Sequence, residues 1–365
     1  MFRSLSLAGA ALLMTSAAAY AEPPKVVASI QPIHSIVASV MEGVGEPHLL
    51  LAPGTSPHSY AMKPSDAAAL NGADLVVWVG PAIESFLEKP LETLSGDAEV
   101  LTVTKAHGLN LLPLREGGAF EAHDHDHGGH GDHDDDDHDH DKAEAHGHKD
   151  HDDHDHDKAE AHGHKDHDDH DHEKAEAHGH KDHDDHDHDK EAPEHAESHI
   201  WLETGNAAVI AAEVAEHLGE IDPANAARYE ANAARLKTEL AALAHEIHEM
   251  LEPVEDRPFI VFHDAWQHFE RQFHLSAAGS ITISPEVTPG ARRMSELKSK
   301  ITDGKVVCLF SEPQFDNRMV NRLAEDTGAR VGVADPLGAD VAPGPGHYAA
   351  MMRAAATAMR DCLAP

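Results

Sequence analysis

Histidine is used in two different ways in this 365-residue chain, and both suit the holding of a metal ion. The first use is dense. Between His123 and His188 lie 22 of the 35 histidines, alternating with aspartate in runs such as HDHDHGGHGDHDDDDHDHD. Three near-identical copies of the unit KAEAHGHKDHDDHDHD begin at Lys142, Lys158 and Lys174. The second use is sparse: His58, His199 and His263, together with Asp335, stand singly at the ends of apolar runs or on the loops that follow them. Neutral imidazole suits zinc, copper and nickel, whereas carboxylate alone suits calcium or magnesium, so the mixture points to a first-row transition ion.

The dense tract cannot bury a core. Apart from alanine it holds almost nothing apolar, and its like charges repel, so disorder is expected across the loop 117–198. A solubilising linker would not need so many imidazoles. The tract is therefore read as an auxiliary metal collector, with His123, His125, His127, His146, His148, His151, His162, His164, His178 and His180 among its ligands.

For the sparse set, three imidazoles and one carboxylate or water would make a tetrahedral zinc site with ligand distances of ~2.0–2.2 Å. Any one of these histidines alone could cap a loop or be satisfied in a core; the set together argues for ligation. Other candidates fail on spacing. His245, Glu246 and His248 form HEIH, one residue short of the H-E-x-x-H that puts two imidazoles one helical turn apart, and the segment reads as an exposed helix face. His217, His268 and His274 have no partner spacing and are expected at the surface. G-x-S-x-G, a P-loop lysine motif and a G-x-G-x-x-G opening a helix are all missing, which lowers the case for an enzyme.

The elements that would position the sparse set alternate strand with helix. KVVASI, PHLLLA, DLVVWVG and AEVLTV are predicted strands in the first part, and PFIVFH, GSITI, KVVCLF and ARVGVA in the second. Continuous apolar strands alternating with helices imply parallel sheets covered on both faces, with ligands at the carboxyl ends of the strands. Between the two regions lies a Gly-free pattern of close to 30 residues ending at Pro253, predicted as one long rigid helix entered at Asp222-Pro223. The expected fold is α/β: two small lobes, each a roughly four-stranded parallel sheet flanked by helices, joined by that helix, with the His/Asp-rich loop inserted in the N-terminal lobe. The boundaries read as 1–21 export signal, 22–220 first lobe with the loop, 221–254 connecting helix and 255–365 second lobe.

The export signal rests on Arg3, an apolar run from about Leu5 and an Ala19-Tyr20-Ala21 cleavage site, which places the mature chain in a bacterial periplasm after cleavage following Ala21. There Cys308 and Cys362, the only two cysteines, would form one disulfide or else stay as two buried thiols. The net charge of −38 is mostly local: Glu121 to Glu197 holds 31 acidic residues against 7 lysines. An acidic body without basic clusters argues against nucleic acid as a partner.

Five stretches carry a family resemblance: PGTSPHSYAMKPSDAAALNGADLVVWVGP, HIWL directly after a His/Asp-rich loop, FIVFHDAWQHFERQF, FSEPQF and DPLG. Jointly they resemble the ZnuA-type periplasmic zinc-binding proteins, the metal receptors of bacterial zinc ABC importers, over essentially the whole mature chain. The resemblance implies that His58, His199 and His263 are the zinc imidazoles. In the manganese-binding branch a Glu resembles His263, so His here argues for zinc. Some zinc members carry a Glu directly before the first ligand, where this chain has Pro57. Asp335 matches an aspartate that binds metal in the manganese branch, leaving Asp335 or a water as fourth ligand, and Cys308 and Cys362 resemble the family disulfide. The implied function is capture of Zn²⁺ in an inter-lobe cleft, without chemistry, and delivery to an inner-membrane ABC permease driven by a cytoplasmic ATPase, the receptor acting as a monomer. The alternatives are a periplasmic metal buffer or chaperone working through the tract, and a metalloenzyme with an open zinc position, for which no general base can be named.

Overall fold

A computed structural model of the protein describes residues 22–115, 120, 196–282 and 285–365. The export-signal reading, the ten auxiliary histidines and nearly all of the His/Asp-rich loop lie outside the described residues. No described helix is long and apolar enough to cross a membrane.

The first lobe is built on β1 (Val26–Ala28), β2 (His48–Leu49), β3 (Leu75–Trp78) and β4 (Glu99–Thr102), all parallel, in the order β2-β1-β3-β4. Its helices are α1 (Gln31–Val40), α2 (Pro64–Asn71), α3 (Glu88–Leu94) and α4 (Thr204–Ile221). The second lobe repeats the plan with β5 (Phe259–Val261), β6 (Ala277–Ser280), β7 (Cys308–Ser311) and β8 (Arg330–Val333) in the order β6-β5-β7-β8, again all parallel. Helices α6 (Gln267–Gln272), α7 (Ala291–Asp303), α8 (Arg318–Thr327) and α9 (His347–Leu363) flank it. The short runs VVA, LVVW, FIV and CLFS are buried at every residue, which is what a strand covered on both faces requires.

Between the lobes runs α5 (Ala226–Leu251), whose 26 residues extend about 39 Å at 1.5 Å per residue. It starts later than the sequence suggests. Asp222 accepts hydrogen bonds from Asn225 (2.7 Å) and from the Tyr229 hydroxyl (2.9 Å), holding a turn before the helix rather than capping it. Tyr229, Ala233, Leu236, Leu240, Leu243, Ile247 and Leu251 recur at three- and four-residue steps and form its buried stripe. That stripe faces neighbours from both lobes, since α5 packs on α1, α4 and α9. All ten residues of α1 are buried, and α1 also touches α9. One apolar core therefore runs from the first sheet through these helices to the second, so the lobes are held by packing as well as by the connection.

Cys308, the first residue of β7, is bonded to Cys362 in the last turn of α9, with 5.9 Å between the Cα atoms. The disulfide ties the C-terminal helix to a central strand.

Candidate metal centre

His263 lies two residues beyond the end of β5, where the Ala265 amide donates back to the His263 carbonyl (2.9 Å) and turns the chain into α6. His58 sits on the loop between β2 and α2, its amide donating to Ser56 Oγ (3.3 Å). The loop is fixed at its far end by Asp66, which accepts from the Lys63 amide (2.8 Å) and the Tyr60 hydroxyl (2.6 Å). His199 directly precedes a 3-10 turn, Ile200–Leu202, whose three side chains are buried. Trp201 in that turn donates from Nε1 to the Pro336 carbonyl (2.8 Å), and Tyr348 of α9 donates to the Trp201 carbonyl (2.7 Å). Three distant stretches thus converge, and each is anchored by neighbours outside the site.

The three imidazoles each offer a ring nitrogen, and these atoms all lie within 4.8 Å of one another. His199 Nε2 and His263 Nε2 are 3.3 Å apart. Two nitrogens on a tetrahedral zinc ion, each at ~2.0–2.1 Å, stand about 3.3 Å apart, so this pair already has the spacing of one tetrahedral edge. The space they enclose is about 10 Å³, room for one water-sized occupant and far below what an organic solute needs. His58, His199, His263, Trp201, Glu312 and Phe315 are among its walls.

Behind two of the imidazoles stands a buried carboxylate. Glu197 Oε1 is 2.5 Å from His199 Nδ1, and Glu312 Oε1 is 2.6 Å from His263 Nδ1. An ionised carboxylate only accepts, so each Nδ1 carries a proton and Nε2 is the nitrogen turned to the cleft, the atom whose lone pair a metal would take. Burial pulls the His263 pKa down, but the adjacent Glu312 carboxylate more than offsets this and the net shift is upward. Burial raises the Glu197 pKa, yet the facing His199 and the hydrogen bonds it receives leave it lowered overall. His58 has no such carboxylate; burial, then the nearby His263 and His199, lower its pKa to about 2, so its ring is neutral and ready to ligate.

Asp335, the fourth candidate from sequence, stands outside the three-histidine group. Its Oδ1 accepts from Gln314 Nε2 (2.7 Å) and the Leu337 amide (2.9 Å), and its Oδ2 accepts from the Ala339 amide (2.6 Å). These bonds shape the loop that sets Pro336 and Leu337 into the cavity wall. To ligate, the carboxylate would have to give them up.

The expectation for His268 is overturned. Its side chain on α6 is fully buried, between the carboxylates of Glu203 (3.2 Å from Nδ1) and Glu197 (3.4 Å from Nε2). Partners about 65 and 71 residues away in sequence bury it, and no local spacing reveals them. His217 is half-buried and its Nδ1 is bonded to the Glu99 carboxylate, whereas His274 is exposed as expected. Of HEIH, His245 is exposed as expected, whereas His248 is half-buried with its ring 5.4 Å from that of His274. Sequence reasoning missed Glu197 and Glu312; Glu312 lies within FSEPQF and Glu197 two residues before HIWL, but only the fold aims them at a histidine.

The root of the histidine tract is built into this neighbourhood. Pro113 and Ala196, on either side of it, form an antiparallel bridge, and the Glu197 amide donates to the Leu112 carbonyl (2.8 Å). Arg115 binds Asp264, next to His263, and Glu270 of α6 (2.8 Å).

Residues 26–362 match the model of the family described as zinc-uptake complex component A, periplasmic. The chain is similar to the high-affinity zinc uptake system protein ZnuA of Brucella abortus, 45 % identical over 338 residues, covering 93 % of this chain and 91 % of that one. The protein of the same name from Paracoccus denitrificans is 37 % identical over 365 residues, 100 % of this chain and 99 % of its own. Among solved structures, that of a ZnuA deletion mutant with zinc bound superposes with a TM-score of 0.63 over 94 % of this chain and 99 % of that one, at 21 % identity, a likeness of fold. With a whole-length family match and close relatives at this identity, the chain belongs to the family of periplasmic zinc-uptake component A proteins.

Proposed function

We propose that the protein captures Zn²⁺ with His58, His199 and His263 in the cleft between its lobes and passes it to an inner-membrane ABC permease driven by a cytoplasmic ATPase. The observation that carries the reading is the closure of three imidazoles, two with Nε2 atoms 3.3 Å apart, around a space of about 10 Å³. Zinc accepts such a donor set with water completing the tetrahedron, and it is cargo here, neither a structural nor a catalytic ion. The receptor works in the periplasm after loss of residues 1–21, and no bond is made or broken in its cycle. The His/Asp-rich tract is an auxiliary collector: tethered next to His199, it raises the local supply of metal, so that weak sites matter when zinc is scarce.

The test is zinc affinity by competition with a tight chelator, which leaves the weak tract unloaded. His58→Ala, His199→Ala and His263→Ala should each weaken the tight site by at least tenfold. Full affinity in any one of them removes that residue from the set.

A further inference from the structure

His268 is the least expected feature of the molecule: a fully buried imidazole whose nitrogens meet acceptors on both sides. Nδ1 is 3.2 Å from Glu203 Oε2, while Nε2 is 3.4 Å from Glu197 Oε2 and 3.4 Å from the Glu197 carbonyl. The hydrogen-bond partners of the ring are thus the Glu203 carboxylate on one side and the Glu197 carbonyl on the other.

We infer that Glu197, His268 and Glu203 form a buried line that positions His199, with His268 as its middle. Glu197 is engaged from two directions: its Oε1 takes both the Nδ1 (2.5 Å) and the backbone amide (3.0 Å) of His199, and its backbone carbonyl lies 3.4 Å from His268 Nε2. This residue cannot shift without losing one of them. At the outer end, Glu203 is held by Asn110, whose Nδ2 donates to both of its oxygens (3.0 and 2.9 Å). There Glu203 reaches a groove of about 550 Å³ that is also lined by residues of α4 and α5, including Thr204, Lys237 and Leu240. The line thus ties a metal-facing ring to the helical framework through side chains alone. His268 does not line the cavity; it is a positioning residue, and removing its ring frees Glu197 to shift and His199 to present the wrong nitrogen.

The inference rests on His199 being a zinc ligand, so the test separates the two claims. In the metal-free, intact chain, ¹⁵N NMR should show the His199 ring, identified by its loss in His199→Ala, as the Nδ1–H tautomer, and His268→Gln should mix in the other tautomer; an unchanged tautomer in folded His268→Gln overturns the line. Zinc affinity is then compared by chelator competition in the native chain, His268→Gln, His199→Ala and the double variant. His268→Gln should weaken binding about 10-fold in the native background and have no further effect once His199 is gone. Equal affinity of folded His268→Gln and native chains, or the same loss with and without His199, contradicts the positioning role. If His199→Ala binds as tightly as the native chain, the ligand assignment falls instead. Should His268→Gln not fold, Glu203→Gln replaces it, with a loss in the same direction expected and an unchanged affinity counting against the line.

Discussion

His199 and His263 are 64 residues apart in sequence and belong to different lobes, yet their Nε2 atoms stand 3.3 Å from each other with both Nδ1 atoms turned away onto carboxylates. On the proposed reading, two of the donors are set by the protein before an ion arrives, because Glu197 and Glu312 turn the Nε2 atoms to the cleft. His58 lacks that support and comes from a loop. In the proposed site the pair would provide a fixed edge and His58 the third donor.

Substituting Glu312 by Gln should weaken zinc binding by about 10- to 100-fold, because the carboxamide can present either its oxygen or its NH₂ to His263 Nδ1 and no longer selects the tautomer. Chelator competition measures this, and combining Glu312→Gln with His263→Ala should give no more than the His263→Ala loss. An undiminished affinity in Glu312→Gln would remove the carboxylate from the account.

Glu84 gives a pH signature of stability that is independent of the metal. It is wholly buried, accepts from the Val79 and Gly80 amides (2.9 and 3.0 Å) and from Ser29, and burial raises its pKa from 4.5 to about 7 despite these bonds. The folded state binds this proton more tightly than the unfolded chain, so the associated stability is full below pH 4.5 and is lost as pH rises through about 7. Over that window the loss is on the order of 3 kcal/mol. Glu84→Gln, permanently neutral, should gain stability relative to the native chain as pH rises, in urea titrations at pH 5 and pH 8; parallel pH profiles would refute the assignment.

The disulfide between Cys308 and Cys362 closes a separation of 54 residues. On the chain-entropy estimate its removal costs about 4 kcal/mol. A Cys308→Ser, Cys362→Ser double variant should show that order of loss in denaturant midpoint, since serine hydroxyls at these buried positions add a cost of their own. A loss under about 1 kcal/mol would mean that the helix α9 is held against β7 by packing alone.

Arg115 lies beside the tract and binds the carboxylates of Asp264 and Glu270, of which Glu270 is almost fully buried. Arg115→Ala leaves both uncompensated, and a destabilisation of about 3 kcal/mol is expected. Since Asp264 follows His263 directly, weaker zinc binding should accompany it. Unchanged stability would show that the carboxylates find water instead.

How far these features were legible in sequence follows from their range. LVVW and CLFS announce themselves because a strand buried on both faces must be apolar throughout. Strand β6 does not: it is Ala277–Ser280, made of small residues, and its register shifts against β5 between Phe259 and Ile260, so the more β-prone GSITI draws the prediction too far along. The three imidazoles were visible as residues at strand and loop ends. Asp335 was visible too, but the three donors that occupy its oxygens come from Gln314, Leu337 and Ala339 and depend on the folded loop. Glu197, Glu312 and His268 are the clearest loss. Their roles exist only through contacts with other parts of the chain, and a lone polar residue in sequence looks like surface.

The most direct measurement is the zinc-edge X-ray absorption spectrum of a chain lacking residues 123–195 and loaded with one equivalent of zinc. The deletion removes the competing imidazoles, and the bridge between Pro113 and Ala196 keeps the remaining ends together. The account predicts four-coordinate zinc with three imidazole nitrogens at ~2.0–2.1 Å and one further light atom. Fewer than three imidazoles, or six oxygen-rich ligands, would contradict it.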